Sequence, residues 1–418
     1  MNKCAPILLA LSAALMGAVQ AYPLDAYPET GIRRLEELRL ANLGEIRDVK
    51  QPPGAMLGLK DVDLRLVGKR FDLPPPDAAF TQKVQALLGG ATDAYAMGVL
   101  DLSDPEHPRY AQVRGDFKQN VGSVGKVVVA LALFQALADL YPTDTEARRQ
   151  VLMKTTVTAD AFSQRDSHTV RMYDPASKKL VRRAIEIGDK ASLFEFVDWM
   201  LSPSSNSAAG MVMREAMLLR QYGKAYPPPE DEIRRFFAQT PKAELTRLFQ
   251  ATFFEPVTRN GLSLERLRQG SFLTAGGKQA VPGGGDSYGT ASELMRFLLW
   301  MEQGRLVDEW SSREIKRLLY VTERRIRYAS APQLDNAAVY FKSGSLFDCN
   351  KALGPCGPYR GNVKNYMNSI AVVESPASQR QQYYMVTLIS NVLGKNSAAD
   401  HQALAARVQQ LMTGTSGK

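Results

Sequence analysis

Ser123-Val124-Gly125-Lys126 sets a hydroxyl and an amine three residues apart at the head of a strongly apolar stretch. Residues at that spacing share one face of a helix, so the Lys126 ammonium can reach the Ser123 hydroxyl. A lysine enclosed by an apolar helix, with a second cation close by, has its charged form disfavoured and can take the serine proton as a neutral amine. The helix amino terminus adds free N–H groups beside the nucleophile. Alone the pattern is weak, because Ser-x-x-Lys arises by chance about once or twice in a chain of this length, with the lysine then an ordinary surface residue.

Two further groupings add chemistry. Ser204-Ser205-Asn206 lies between two helical stretches, where Ser204 can relay a proton and Asn206 can hold a substrate amide. Standing alone, it reads as turn chemistry in a Ser/Asn-rich loop. Lys342-Ser343-Gly344 is expected at the end of an apolar strand, where the glycine permits close backbone approach and the lysine with its neighbouring hydroxyl can bind a carboxylate. The N–H of Ser345 could join that of Ser123 in an oxyanion hole.

Other chemistries lack their residues. The chain has 3 histidines, His107, His168 and His401, none with metal-ligand spacing or a serine partner in sequence, so each reads as a solvated or hydrogen-bonded residue. Gly283-Gly284-Gly285 precedes Asp-Ser-Tyr-Gly rather than Lys-Ser/Thr, and reads as a flexible turn instead of a phosphate loop. No metal and no cofactor are expected.

In this order and in these contexts the three groupings resemble the Ser-x-x-Lys, Ser-x-Asn, Lys-Thr/Ser-Gly signature of serine β-lactamases and penicillin-binding proteins. Ser204-Ser205-Asn206-Ser207-Ala208-Ala209 is similar to the Ser-Asp-Asn-Thr-Ala-Ala loop of class A β-lactamases. Gly289-Thr290-Ala291-Ser292-Glu293-Leu294 and Ser369-Ile370-Ala371-Val372-Val373 resemble the helix opening before the family's Lys-Thr-Gly strand and the strand after it. The resemblance covers about residues 79–412. It implies Ser123 as acylated nucleophile, Lys126 as its activator and Ser204 as proton shuttle. Asn206 would be the amide ligand, and Lys342 with Ser343 the carboxylate binders.

The pattern departs from class A at the deacylating glutamate, expected in Glu-x-x-Leu-Asn. The nearest match, Glu255-Pro256-Val257-Thr258-Arg259-Asn260, is one residue too long and lacks the leucine. Without such a base, an acyl-enzyme made from a β-lactam would persist. The leading expectation is therefore a D-alanyl-D-alanine-type carboxypeptidase or related envelope amide hydrolase acting on small peptides of the peptidoglycan kind. A β-lactamase comes second, with Glu255 then the deacylation base, and a binding module without turnover comes third.

The elements that must position these residues follow from periodicity. Residues 79–88 read as a helix, 95–102 and 109–114 as strands joined by a Pro-containing turn, and the run from Val127 to about Leu140 as a helix too apolar all round to be anything but buried. Residues 145–320 read as mostly helical, including helices over 193–201 and 208–219, and Thr290-Ala291-Ser292-Glu293 is a capping box. Strands return at 337–342, 366–374 and 383–391, and Ser397 is read as capping a last helix to about Met412. Strands at both ends around a helical middle predict an α+β fold, a β-lactamase/transpeptidase-like antiparallel sheet packed with helices beside a mostly helical lobe. A groove between the two is where a site belongs.

Lys3, an apolar run from Ala5 to Val19 and Val19-Gln20-Ala21 read as a secretory signal peptide over residues 1–21, cleaved near Ala21, which predicts a periplasmic or secreted protein with no transmembrane segment once it is removed. Cys4 would leave with it. Residues 22–78 form an amino-terminal extension of unassigned role, and 79–418 the catalytic domain. Cys349 and Cys356 are expected to pair across a short Gly-Pro loop. Hydrophobic residues at 45% and charged residues at 23% are ordinary for a globular protein. The net charge of +9, from 52 basic and 43 acidic residues spread without a dense block, suits a polyanionic envelope and gives no nucleic-acid footprint.

Overall fold

Period-two alternation in the strands decides how the layers stack. In the strand Tyr95–Asp101, Ala96 and Leu100 belong to one hydrophobic core and Met97 and Val99 to another. Ile370 and Val372 against Ala371 and Val373 divide in the same way, as do Met385 and Ile389 against Tyr384 and Val386. Successive side chains point to opposite faces, so a sheet with apolar residues at every position must be covered on both sides. The computed structural model, which describes residues 23–48, 50–323 and 325–414, has this arrangement.

The sheet is antiparallel and five-stranded, in the order Arg109–Val113, Tyr95–Asp101, Gln382–Asn391, Lys364–Ser375, Ala338–Asp348. Both ends of the chain therefore contribute to it. One face packs on the helices Ala78–Ala86 and Ser397–Thr413 through Phe80, Val84, Leu404 and Val408. The other covers Lys126–Leu140, whose residues 126–138 are all buried, and Ala291–Glu302. The stretch from Gly122 to Leu140 is long and apolar enough to cross a membrane, and here it is the core helix of the fold.

Several boundaries differ from the periodicity reading. The edge strand runs on to Asp348 rather than stopping at Lys342, because backbone pairing with Lys364–Ser375 continues after the apolar pattern gives way to exposed residues. Lys342-Ser343-Gly344-Ser345 is thus mid-strand. The last helix is capped by Asn396, whose Oδ1 accepts from Ala398 and Ala399 N–H, not by Ser397. The largely helical middle also holds a hairpin, Thr169–Asp174 with Lys179–Ala184. The capping box holds, Thr290 Oγ1 accepting from Glu293 N–H.

The segment before residue 79 is part of the same core. Ile32, Leu35 and Leu38 around the helix Arg33–Leu43, then Leu59, Val62 and Leu66, pack with the residues of the central helix. Its charges are also buried. Arg34 clamps Asp198 with two bonds of 2.6 and 2.5 Å, and Glu37 accepts from Arg171 at 2.5 Å. Residues 1–22, which carry the signal-peptide reading, lie outside the described residues.

Neither side chain of the Arg34–Asp198 pair is more than 1% exposed, so removing one partner strands the other's charge in the interior. Arg34→Met should lower stability by about 3–5 kcal/mol, read as a shift of the urea midpoint. An unchanged midpoint would show that this ion pair adds nothing to the fold.

Candidate active site

The Ser123–Lys126 turn is built by an element change. Gly122–Gly125 is a 3-10 turn that leads directly into the helix beginning at Lys126, so Ser123 sits at the mouth while Lys126 is fully enclosed. Lys126 Nζ lies 3.0 Å from Ser123 Oγ, 3.2 Å from Ser204 Oγ, 2.6 Å from the Ser204 carbonyl and 2.7 Å from Asn206 Oδ1. Burial, opposed in part by the Asp166 carboxylate, pulls the Lys126 ammonium down to about 7. A proton acceptor for the serine is therefore available near neutral pH.

The Ser-Ser-Asn loop meets this amine from across the groove. Helix Asn206–Tyr222 starts two residues earlier than its periodicity suggests, with Ser205 as its cap, so Asn206 is its first residue. Ser204 just before it has φ of +67°, a left-handed conformation that costs a non-glycine residue about 1–3 kcal/mol and turns its carbonyl and hydroxyl together onto Lys126. Asp166 holds the loop, accepting from Ser205 Oγ at 3.0 Å, Asn206 N–H at 2.7 Å and Ser207 N–H at 3.0 Å. Although burial works against its charge, the bonds from His168 and from Ser207 N–H keep the Asp166 carboxyl well below the usual range. This chain has Ser205 where the similar loop has aspartate, and the Asp166 carboxylate, from a different segment, takes up the Asn206 and Ser207 N–H groups.

The edge strand closes the site. Lys342 Nζ bonds Ser204 Oγ at 2.7 Å and the Ser343 carbonyl at 3.1 Å, so the Ser204 hydroxyl lies between two amines. Burial, with Lys126 and Arg327 adding repulsion, pushes the Lys342 ammonium well below its ordinary range. Gly344 is required by contact: a Cβ there would stand 2.3 Å from the Val121 carbonyl oxygen and 2.5 Å from Ser123 N. That close approach brings the Ser345 and Ser123 amides together, the pairing a two-donor oxyanion hole needs.

Arg327 was invisible to motif reasoning. It reaches over the strand to donate to Ser343 Oγ at 2.8 Å and Ser345 Oγ at 3.1 Å, and its guanidinium lies 5.1 Å from the Tyr359 ring centre. Its own φ of +53°, on a short 3-10 turn, is the only local sign of a special position. The expected carboxylate binders thus divide: Lys342 turns to Ser204, while Ser343 faces a guanidinium. Cys349 and Cys356 form a disulfide that ties the loop leading to Tyr359.

These elements line a groove of about 440 Å³, with Ser123, Ser204 and Asn206 on its walls, Arg327, Ser343 and Tyr359 at one side and Gln269, Phe272 and Leu273 at another. Glu255 is not brought here. It pairs with Arg220, near the far end of the helix that begins at Asn206; that helix has 17 residues and spans about 25 Å. The Glu-x-x-Leu-Asn likeness fails because its asparagine, Asn260, is engaged with Gln135 and Val307 at the other end of the central helix.

With the geometry in place, comparison with known proteins can be read. Among curated proteins none matches this chain. Solved structures that it is similar to include PBP-A, at 15% identity, a TM-score of 0.48 and coverage of 82% of this chain and 99% of that one. Another is a beta-lactamase from Sphaerobacter thermophilus, at 13% identity, a TM-score of 0.48 and coverage of 79% and 95%. A third is the TLA-3 extended-spectrum beta-lactamase, at 12% identity, a TM-score of 0.49 and coverage of 80% and 98%. The model of the Beta-lactamase enzyme family matches residues 79–410, most of the chain and every motif of the groove, and this protein belongs to that family.

Proposed function

We propose that the protein is an exported serine hydrolase that works through an acyl-enzyme on a peptide with a free terminal carboxylate, of the D-alanyl-D-alanine carboxypeptidase kind. The observation that carries this reading is the Lys126 ammonium, fully buried and 3.0 Å from Ser123 Oγ, beside a groove whose lining holds no carboxylate among the described residues. The amine activates the serine for acylation, while a β-lactam adduct would find no acid side chain to deprotonate its water.

In the forward half-reaction, Ser123 Oγ gives its proton to Lys126 as it attacks the substrate carbonyl, and the developing oxyanion takes hydrogen bonds from the Ser123 and Ser345 amides. The proton passes through Ser204 Oγ, which bridges Lys126 and Lys342, to the leaving amine. Asn206, its Oδ1 engaged by Lys126, offers its amide nitrogen to the substrate backbone. Arg327 with the Ser343 and Ser345 hydroxyls receives the terminal carboxylate, a charge-assisted site with planar donors. Export is supported by the amino-terminal sequence pattern and by the disulfide, which persists in an oxidising compartment.

Incubation with a fluorescent penicillin should label the mature protein covalently, and Ser123→Ala should abolish the label. Intact mass should show an adduct that survives for hours, whereas stem peptides ending in D-Ala-D-Ala should lose one alanine. Rapid clearance of the penicillin adduct would instead make this a β-lactamase, and neither label nor peptide cleavage would leave a binding module.

The acylation rate should rise with pH through about 7 and level off above it, because the reactive form is the Lys126 amine and protonation removes it as pH falls. A profile flat from pH 5 to 9 would rule out Lys126 as base. Arg327→Ala should cost about 10–100-fold in kcat/KM on carboxylate-bearing substrates, the worth of a charge-assisted bond, and little on their amides.

A further inference from the structure

Among the described residues, several buried side-chain polar atoms have no partner, and Gln269 Oε1 is the one that belongs to a groove-lining residue. The side chain is 2% exposed and its orientation is set from both ends. Nε2 donates to the Ser271 carbonyl at 2.6 Å, which leaves Oε1 as a buried acceptor without a donor. A Cβ built on Gly125 would fall 2.4 Å from Oε1, so the oxygen rests against the turn between Ser123 and Lys126, and a side chain at 125 would displace it. The residue directly follows a short strand, Leu267–Arg268, paired with Tyr288–Gly289, and this pairing fixes the chain just before it. A buried carbonyl oxygen with no donor is a costly feature in a folded protein, and beside a groove an ordered water or a ligand can supply the donor.

We propose that Gln269 seats the acyl acceptor, the water or primary amine that resolves the acyl-enzyme, by accepting one of its O–H or N–H bonds. This rests on the acyl-enzyme reading above and concerns its second half. The acceptor heteroatom adds to the ester carbonyl on Ser123, the bond from carbonyl carbon to Oγ breaks, and the acceptor's proton returns to Oγ by way of Lys126, 3.0 Å from it. A carboxamide orients the acceptor and cannot take its proton. The residue is therefore a positioning group, and it makes resolution slow in water and responsive to a better nucleophile.

The test separates the two halves on the full mature chain with penicillin G as acylating agent. Acylation rate, adduct release in buffer, and release with added glycine amide are each followed by intact mass. Gln269→Ala should leave acylation within about twofold and slow release at least about tenfold in both media, with no change in thermal midpoint. Gln269→Glu, of the same size, should speed release in buffer at least about tenfold, with a rise across the titration of the new carboxylate, because it can deprotonate the seated water. Release unchanged in both variants overturns the proposal and leaves the acyl-enzyme intact. Loss of acylation in Gln269→Ala at an unchanged thermal midpoint also overturns it, since the residue would then support the nucleophile turn. If Gln269→Ala does not fold, Gln269→Glu alone decides by the same criterion. A wild-type chain that takes no penicillin removes the acyl-enzyme reading itself, and this proposal with it.

Discussion

Lys126 has no exposed surface, yet its amine is held by four oxygens: the Ser123 and Ser204 hydroxyls, the Ser204 carbonyl and Asn206 Oδ1. Burial disfavours the ammonium, and the fall from 10.5 to about 7 corresponds to roughly 5 kcal/mol between the two protonation states. The helix that carries the lysine must therefore be enclosed on all sides, and the loop that supplies its oxygens must be fixed to within hydrogen-bond distance. Most of the fold can be understood as meeting these two demands. The sheet face and surrounding helices enclose Lys126–Leu140, and a separate set of charged contacts holds the Ser-Ser-Asn loop.

Those contacts form a path from the amino-terminal segment to the groove. Arg34 clamps Asp198 on the helix Leu193–Leu201, and Trp199 on that helix gives its carbonyl to Ser205 N–H. Trp199 Nε1 donates to the Arg171 carbonyl, and the Arg171 guanidinium holds Glu37 and Asp48. Asp166, a few residues before Arg171, carries the other side of the loop. The left-handed Ser204 persists because its neighbours are over-determined in this way.

The groove is asymmetric in charge. Two amines and a guanidinium converge on Ser204 and Ser343, and the nearest carboxylate, Asp166, is committed to backbone N–H groups. Such a surplus of positive groups favours an anion in the groove. Gln269 lines the same groove, and its buried Oε1 has no hydrogen-bond donor.

The linear order of residues already determined the Ser123–Lys126 turn, the three motif groupings, the short Cys349–Cys356 loop and both ends of the sheet. Each is written in local periodicity, or in spacings of a few residues that one helix turn or one loop can satisfy. Tertiary structure alone decided that Asp166 holds the Ser-Ser-Asn loop, that Arg327 joins Ser343 and Ser345, and that Gln269 meets Gly125. It also removed Glu255 to the far end of a helix and drew residues 23–78 into the core. These contacts join segments tens to hundreds of residues apart. Whether such side chains meet depends on how helices and sheet pack rather than on any pattern within either segment, so local spacing carries no trace of them.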